Sequence, residues 1–70
     1  MTLKCACCGE LTVDEEYEIC PVCGWEKDHV QERFIGFRGG ANRLCLAEAR
    51  ENFRIFGYSD STLPGAKEKI

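Results

Sequence analysis

The sequence has one histidine, two prolines, one methionine and one tryptophan in its 70 residues. It has no run of 18 apolar residues, which excludes a membrane-spanning helix of the usual kind. Met1-Thr2-Leu3-Lys4 leads directly into Cys5, without the apolar stretch and small-residue cleavage site of a secretory leader. The expectation is a cytoplasmic chain. The lone His29 lies in a polar stretch and reads as a solvated residue. The only nucleophile–base candidates are Cys7 and His29, and nothing in their spacing brings them together. No enzyme is expected. A chain this short allows one small domain, and ordering it costs on the order of 100 kcal/mol of conformational entropy, which a core of this size barely offsets.

Cysteine is what the sequence has in abundance, with six residues at 5, 7, 8, 20, 23 and 45. In a reducing compartment, paired cysteines read as metal sites rather than disulfides. Cys5-Ala6-Cys7-Cys8-Gly9 and Cys20-Pro21-Val22-Cys23-Gly24 each have the C-x2-C form of a knuckle, a tight turn that aims two thiolates at one ion. Gly9 and Gly24 allow a left-handed backbone after the second ligand, and their amides are expected to approach a sulfur. Pro21 sets φ for its turn. Cys5, Cys8, Cys20 and Cys23 are therefore the predicted metal ligands. Neither pair sits in the helical setting of a thioredoxin-like redox motif. A closed four-thiolate site is structural, because catalytic zinc keeps a position open. One zinc ion is the expected cofactor, with iron as the alternative, since ligand type alone does not separate them. Cys7 is surplus to one tetrahedral ion and is expected to face away from it, with an alternative-ligand role as the competing reading. Cys45 is expected to pack.

Between the knuckles, Leu11–Val13 and Tyr17–Ile19 alternate apolar and polar residues around Asp14-Glu15-Glu16. They predict a hairpin of knuckle, strand, turn, strand and knuckle. Further on, Val30–Arg38 has the beginning of a helical turn, broken by Gly36, Gly39 and Gly40. Phe34, Ile35 and Phe37 are expected to fold over Trp25 and the hairpin. From about Leu46 to Phe56 a helix is expected, with Leu46, Ala49, Phe53 and Phe56 on one apolar face. Cys45 stands at its N-cap, Glu48 completes a capping box, and Gly57 ends it. Residues 59–70 read as a loosely attached tail. The predicted fold class is a small metal-stabilised α+β domain over residues 1–58: a zinc-ribbon or rubredoxin-like β-hairpin with two CxxC knuckles plus one C-terminal helix.

The net charge of −3 is unevenly distributed. Residues 1–32 hold eight acidic and two basic side chains, whereas residues 33–70 hold seven basic and four acidic. Such an acidic ribbon repels phosphates, so nucleic acid is not the expected partner despite Arg33, Arg38 and Arg43 among aromatics. These arginines are expected to face the acidic ribbon, in the same molecule or in a partner.

Cys5-Ala6-Cys7-Cys8-Gly9, Tyr17-Glu18-Ile19-Cys20-Pro21-Val22-Cys23, Trp25-Glu26, Gly39-Gly40-Ala41-Asn42 and Leu46-Ala47-Glu48-Ala49-Arg50-Glu51-Asn52-Phe53 follow one another in an order that resembles the bacterial cysteine-rich CPCC family. The resemblance covers about residues 5–58. It implies a small cytosolic bacterial protein with a zinc-ribbon-like cysteine core and one C-terminal helix, and it makes Cys7 a regular member of the motif. Ala6 replaces the proline of the family's motif, Cys45 its usual serine, and Lys27 one member of a common acidic pair.

The function expected from these residues is that of a zinc-binding interaction module without catalysis, taking an unidentified protein partner. Asp14, Glu15 and Glu16 form one candidate contact surface, and Arg38, Gly39, Gly40 and Asn42 the other. Rubredoxin-like electron transfer is the second reading and nucleic-acid binding the third.

Overall fold

The computed structural model describes residues 3–62. Strand β1 (Leu3–Lys4) pairs antiparallel with β2 (Leu11–Val13), a short helix α1 spans His29–Arg33, and α2 spans Leu46–Phe56. The two-stranded sheet and one long helix give the α+β composition expected. The strand pairing is not the one expected. Instead of closing on Tyr17–Ile19 across the acidic turn, β2 turns back onto β1 across the first knuckle. Tyr17–Ile19 pairs in turn with 25–27 across the second: Ile19 bridges Glu26, the Tyr17 amide donates to the Lys27 carbonyl at 2.7 Å, and the Lys27 amide to that of Glu18 at 2.9 Å. A knuckle is itself a chain reversal, so its flanking segments meet first and the eleven-residue connection becomes a link between two hairpins. Of the expected turn Asp14-Glu15-Glu16, Glu15 and Glu16 lie in one, closed by the Glu18 amide on the Glu15 carbonyl at 3.2 Å and passing through Tyr17 with φ 65°, while Asp14 precedes it.

Eight residues form the core cluster, and half of them are cysteines: Cys5, Cys7, Cys20 and Cys23 join Val13, Trp25, Leu46 and Ala49. The apolar face of α2 supplies Leu46 and Ala49, with Phe53 partly buried against them. The helix starts at Cys45, whose amide donates to the Glu48 carboxylate at 3.1 Å. It stops at Gly57 in the left-handed region, φ 78°. Both ends match the caps expected, and Cys45 is buried.

Phe34, Ile35 and Phe37 do not cover Trp25. They are 57%, 47% and 43% exposed, whereas Trp25 is 1% exposed within the core that α2 helps to form. The backbone of Ile35 is committed elsewhere, accepting the Ala47 amide at the start of α2. Helix α1 is capped by Asp28, which accepts the amides of Val30 and Gln31. The second Asp28 oxygen accepts the Ala41 amide at 2.8 Å, and that bond is the first cause holding its carboxyl below the ordinary range.

The arginines, too, depart from expectation. Arg38 pairs with Glu48 and Arg43 forks onto Asp60, so both are neutralised within the second half of the chain rather than by the acidic ribbon. Arg33 lies over the Phe34 ring, 5.5 Å from its centroid. The start of the expected loose tail is docked: Ser59 and Asp60 are buried, and the Ser59 amide donates to the Cys23 carbonyl at 2.7 Å. Residues 63–70 of that tail lie outside the described residues.

Candidate metal centre

The two knuckles are built alike, related by a shift of fifteen residues. The Gly9 amide donates to the Cys5 carbonyl at 2.8 Å and the Gly24 amide to the Cys20 carbonyl at 2.8 Å. The base of each turn is closed by the first cysteine's amide, from Cys5 to the Glu10 carbonyl and from Cys20 to that of Trp25. Both glycines take left-handed backbones, φ 84° and 82°. The sulfurs follow the same rule. Cys5 Sγ accepts from the Cys7 and Cys8 amides, as Cys20 Sγ does from those of Val22 and Cys23. Cys8 Sγ accepts from the Glu10 amide and Cys23 Sγ from that of Trp25. The glycine amides thus close the turn on a carbonyl, and the residue after each glycine reaches the sulfur.

Facing each other, the knuckles bring the sulfurs of Cys5, Cys8, Cys20 and Cys23 within 4.8 Å of one another. Cys5 and Cys23 are 3.5 Å apart and Cys8 and Cys20 3.7 Å. A tetrahedral ion with metal–sulfur bonds of about 2.3 Å needs sulfur–sulfur edges of about 3.8 Å. All six cysteines are free thiols. The donor set fits a divalent ion in size, number and softness. The four sulfurs differ in their surroundings. The hydrogen bond to Cys23 and burial push the Cys5 thiol well above the ordinary range. Burial carries Cys8 up to about 11 against the amide of Glu10. At Cys23 the contact with Cys5 lowers the value, but Cys7 and burial outweigh it and drive it up. Cys20 is opposed by burial and nevertheless brought down to about 7, through the Thr12 hydroxyl and the amides of Cys23 and Val22. Ionised together in one buried spot, the four would need a cation between them.

Cys7 lies outside the group of four, buried in the core and beside Cys23. His29 is far more exposed, and its Nδ1 lies 2.5 Å from Glu16. The His29 amide also bonds Glu16, and this is the first cause lowering that carboxyl below its ordinary range. Asp14 and Glu15 are exposed and have no basic partner among the described residues. On the other candidate surface, Asn42 is turned inward. It accepts the Glu26 amide at 2.8 Å and donates to the Glu26 carbonyl at 2.7 Å. Gly40 comes so close to Asp28 and Gln31 that a Cβ there would sit 2.5 Å from the Asp28 carboxylate. Gly39 and Arg38 remain exposed, Arg38 held by Glu48.

Several residues that build the site's surroundings carry no motif of their own. Arg50 reaches from α2 to the Ala6 carbonyl of the first knuckle at 2.9 Å. Tyr58 lies so close over Gly24 that a Cβ would meet its ring at 2.6 Å. Gln31, fully buried, donates its amide to the carbonyls of Phe37, Asn42 and Leu44. The close approach at Gly24 had a partial sequence signal in the glycine itself, but its partner is 34 positions away.

Fold and site together define a small domain in which two facing cysteine knuckles are clamped by a C-terminal helix. The family model described as cysteine-rich CPCC matches residues 3–68, and the chain belongs to that family. None of the curated proteins matches it. Among the described residues, no helix is long and apolar enough to cross a membrane.

Proposed function

We propose that this protein holds one structural zinc ion through Cys5, Cys8, Cys20 and Cys23 and acts as a protein-interaction module without catalysis of its own. The observation that carries the reading is the convergence of four sulfurs from two matched knuckles, with edges of 3.5 and 3.7 Å. Zinc would supply a cross-link between the two hairpins and neutralise part of the thiolate charge. The chain's own residues do the rest: six amide contacts hold the sulfurs in place, and three of the four ligands are at most 3% exposed. Such a closed set leaves no position for a substrate.

An acidic turn at Asp14 and Glu15, unpaired among the described residues, supports docking onto a basic protein partner. The internal pairing of Arg38 with Glu48 and Arg43 with Asp60 leaves less free positive charge for phosphates, which ranks nucleic acid below a protein partner. Iron is the second reading, favoured by the amide hydrogen bonds to all four sulfurs, a feature that tunes iron–thiolate potentials.

Metal analysis of protein purified from its native source tests the reading. One equivalent of zinc in a colourless sample supports it, and red protein carrying iron replaces it with electron transfer. Each of Cys5, Cys8, Cys20 and Cys23 changed to Ser is expected to abolish one-to-one binding, whereas Cys7→Ser retains it. Reversing the charge of Asp14 and Glu15 should release a captured basic partner, and an unchanged complex would overturn the docking reading.

A further inference from the structure

The fifteen-residue correspondence between the knuckles ends one step into the strands that flank them, where each hairpin carries an extra residue on a different strand. In the second hairpin Ile19 bridges Glu26 and the Lys27 amide bonds the Glu18 carbonyl. The Tyr17 amide, not that of Glu18, returns to the Lys27 carbonyl, so the extra residue there lies on the first strand, at Tyr17 with φ 65°. In the first hairpin, Lys4 pairs with Leu11 but Leu3 pairs with Val13, so β2 contains one residue more than β1 at that step. The extra residue is Thr12. A bulge of this kind turns a side chain out of the ordinary alternation. Here it brings Thr12 Oγ1 to 2.9 Å from Cys20 Sγ, across the interface between the knuckles. Lys27, the counterpart fifteen positions on, makes no such contact: its Nζ pairs with Glu32 at 3.0 Å.

We propose that Thr12 is a positioning residue of the metal centre, its hydroxyl donating a hydrogen bond to the Cys20 sulfur and making that ligand the one of the four that a hydroxyl supports. The assignment rests on the metal reading above. A metal-bound thiolate has no proton, so within this pair only the hydroxyl can donate. Its competing acceptor is the Glu10 carbonyl at 3.5 Å, at the limit of a hydrogen bond and much the weaker choice. All four sulfurs take hydrogen bonds from backbone amides that the knuckle turns supply, and Cys23 also has the Cys7 thiol beside it. Cys20 takes a further one from a side chain delivered by the partner hairpin. The bond therefore ties β2 to the second knuckle directly and withdraws electron density from one sulfur. Outer contacts of this type orient a ligand and set its electron density, and their loss typically costs about ten- to a hundredfold in metal affinity.

Titration with Co2+ as the probe, followed by competition with Zn2+, tests the assignment on the full chain. Thr12→Val keeps the β-branched shape and removes the hydroxyl, while Thr12→Ser keeps the hydroxyl and removes the methyl group. The Val variant is expected to bind Co2+ about ten- to a hundredfold more weakly and to shift the sulfur-to-metal charge-transfer band to lower energy. The Ser variant is expected to restore the wild-type band. A Val variant with wild-type band and affinity overturns the role of Thr12 while leaving the metal centre standing. Equal weakening of both variants with an unmoved band assigns the effect to methyl packing and also overturns it. Wild-type protein that takes up no Co2+ overturns the metal reading, and the assignment falls with it.

Discussion

Gly9 and Gly24 occupy equivalent places in equivalent turns, yet they do not bear the same load. Both have φ near 80°, where a side chain costs about 1–2 kcal/mol. A Cβ on Gly9 would meet nothing within 4 Å, whereas one on Gly24 would collide with the Tyr58 ring at 2.6–2.9 Å. Gly9→Ala should therefore cost roughly the backbone term alone. Gly24→Ala should cost that and the displacement of Tyr58, which sits next to the Ser59–Cys23 bond. Denaturant unfolding of both variants beside the wild type would check this, and equal losses would show that Tyr58 yields freely. The glycines themselves were legible in the sequence from their place after each C-x2-C pair. Their difference was not, because it depends on a residue 34 positions away. Thr12 was hidden for a similar reason: threonine suits any strand, and only the bulge in β2 aims it at a sulfur.

At the scale of elements, α2 was legible from end to end. Its apolar spacing, Glu48 and Gly57 are local features, and each acts within a few residues of itself. The pairing of the strands was not local in this sense. Leu11–Val13 is a strand and Ile19 forms a bridge, but knuckle closure gave each a nearer partner, and the acidic segment became a connection between hairpins. Similarly, composition alone made residues 59–62 look like tail. The attachment is polar: beside the Ser59–Cys23 bond, the Arg43 guanidinium, then the Thr62 amide and hydroxyl, hold the Asp60 carboxyl at about 2 despite its burial. A carboxyl depressed below an unfolded value of about 3.9 contributes stability that is fully present above that value. It is lost as pH falls through the folded pKa. The stability difference between wild type and Asp60→Asn should accordingly be constant above about pH 5 and vanish towards pH 2, with acid release of metal common to both proteins. Hydrogen exchange at the Ser59 amide should be faster in the variant at neutral pH. An unchanged Ser59 amide would mean that the contact with Cys23 suffices to dock the segment.

For the whole molecule, the core and the candidate metal centre are one structure. Four of the eight core residues are cysteines, three of them proposed ligands, and only Val13, Trp25, Leu46 and Ala49 contribute ordinary apolar burial. The helix is fastened to both knuckles, through Arg50 to Ala6 and through Tyr58 and Ser59 to Gly24 and Cys23. Pulling the four sulfurs apart would thus loosen the surface on which α2 rests. The deficit expected for a 70-residue chain is of the size that structural zinc can cover, about 10–16 kcal/mol in zinc-finger peptides. Removal of metal by a chelator should therefore unfold the domain cooperatively, with helical circular dichroism and burial of Trp25 lost in one transition and restored by zinc. The fluorescence of Trp25 and the helical signal should follow the same midpoint. Within the loaded protein, Trp25→Ala should cost about 3–5 kcal/mol as a buried aromatic truncation. Phe34→Ala and Phe37→Ala, at 57% and 43% exposed, should cost well under that, on the order of 1 kcal/mol or less. The same contrast separates a core built around a metal from one built around the aromatics of residues 34–37. A domain that keeps its helix and its buried tryptophan after complete chelation would show that the apolar core stands without the ion.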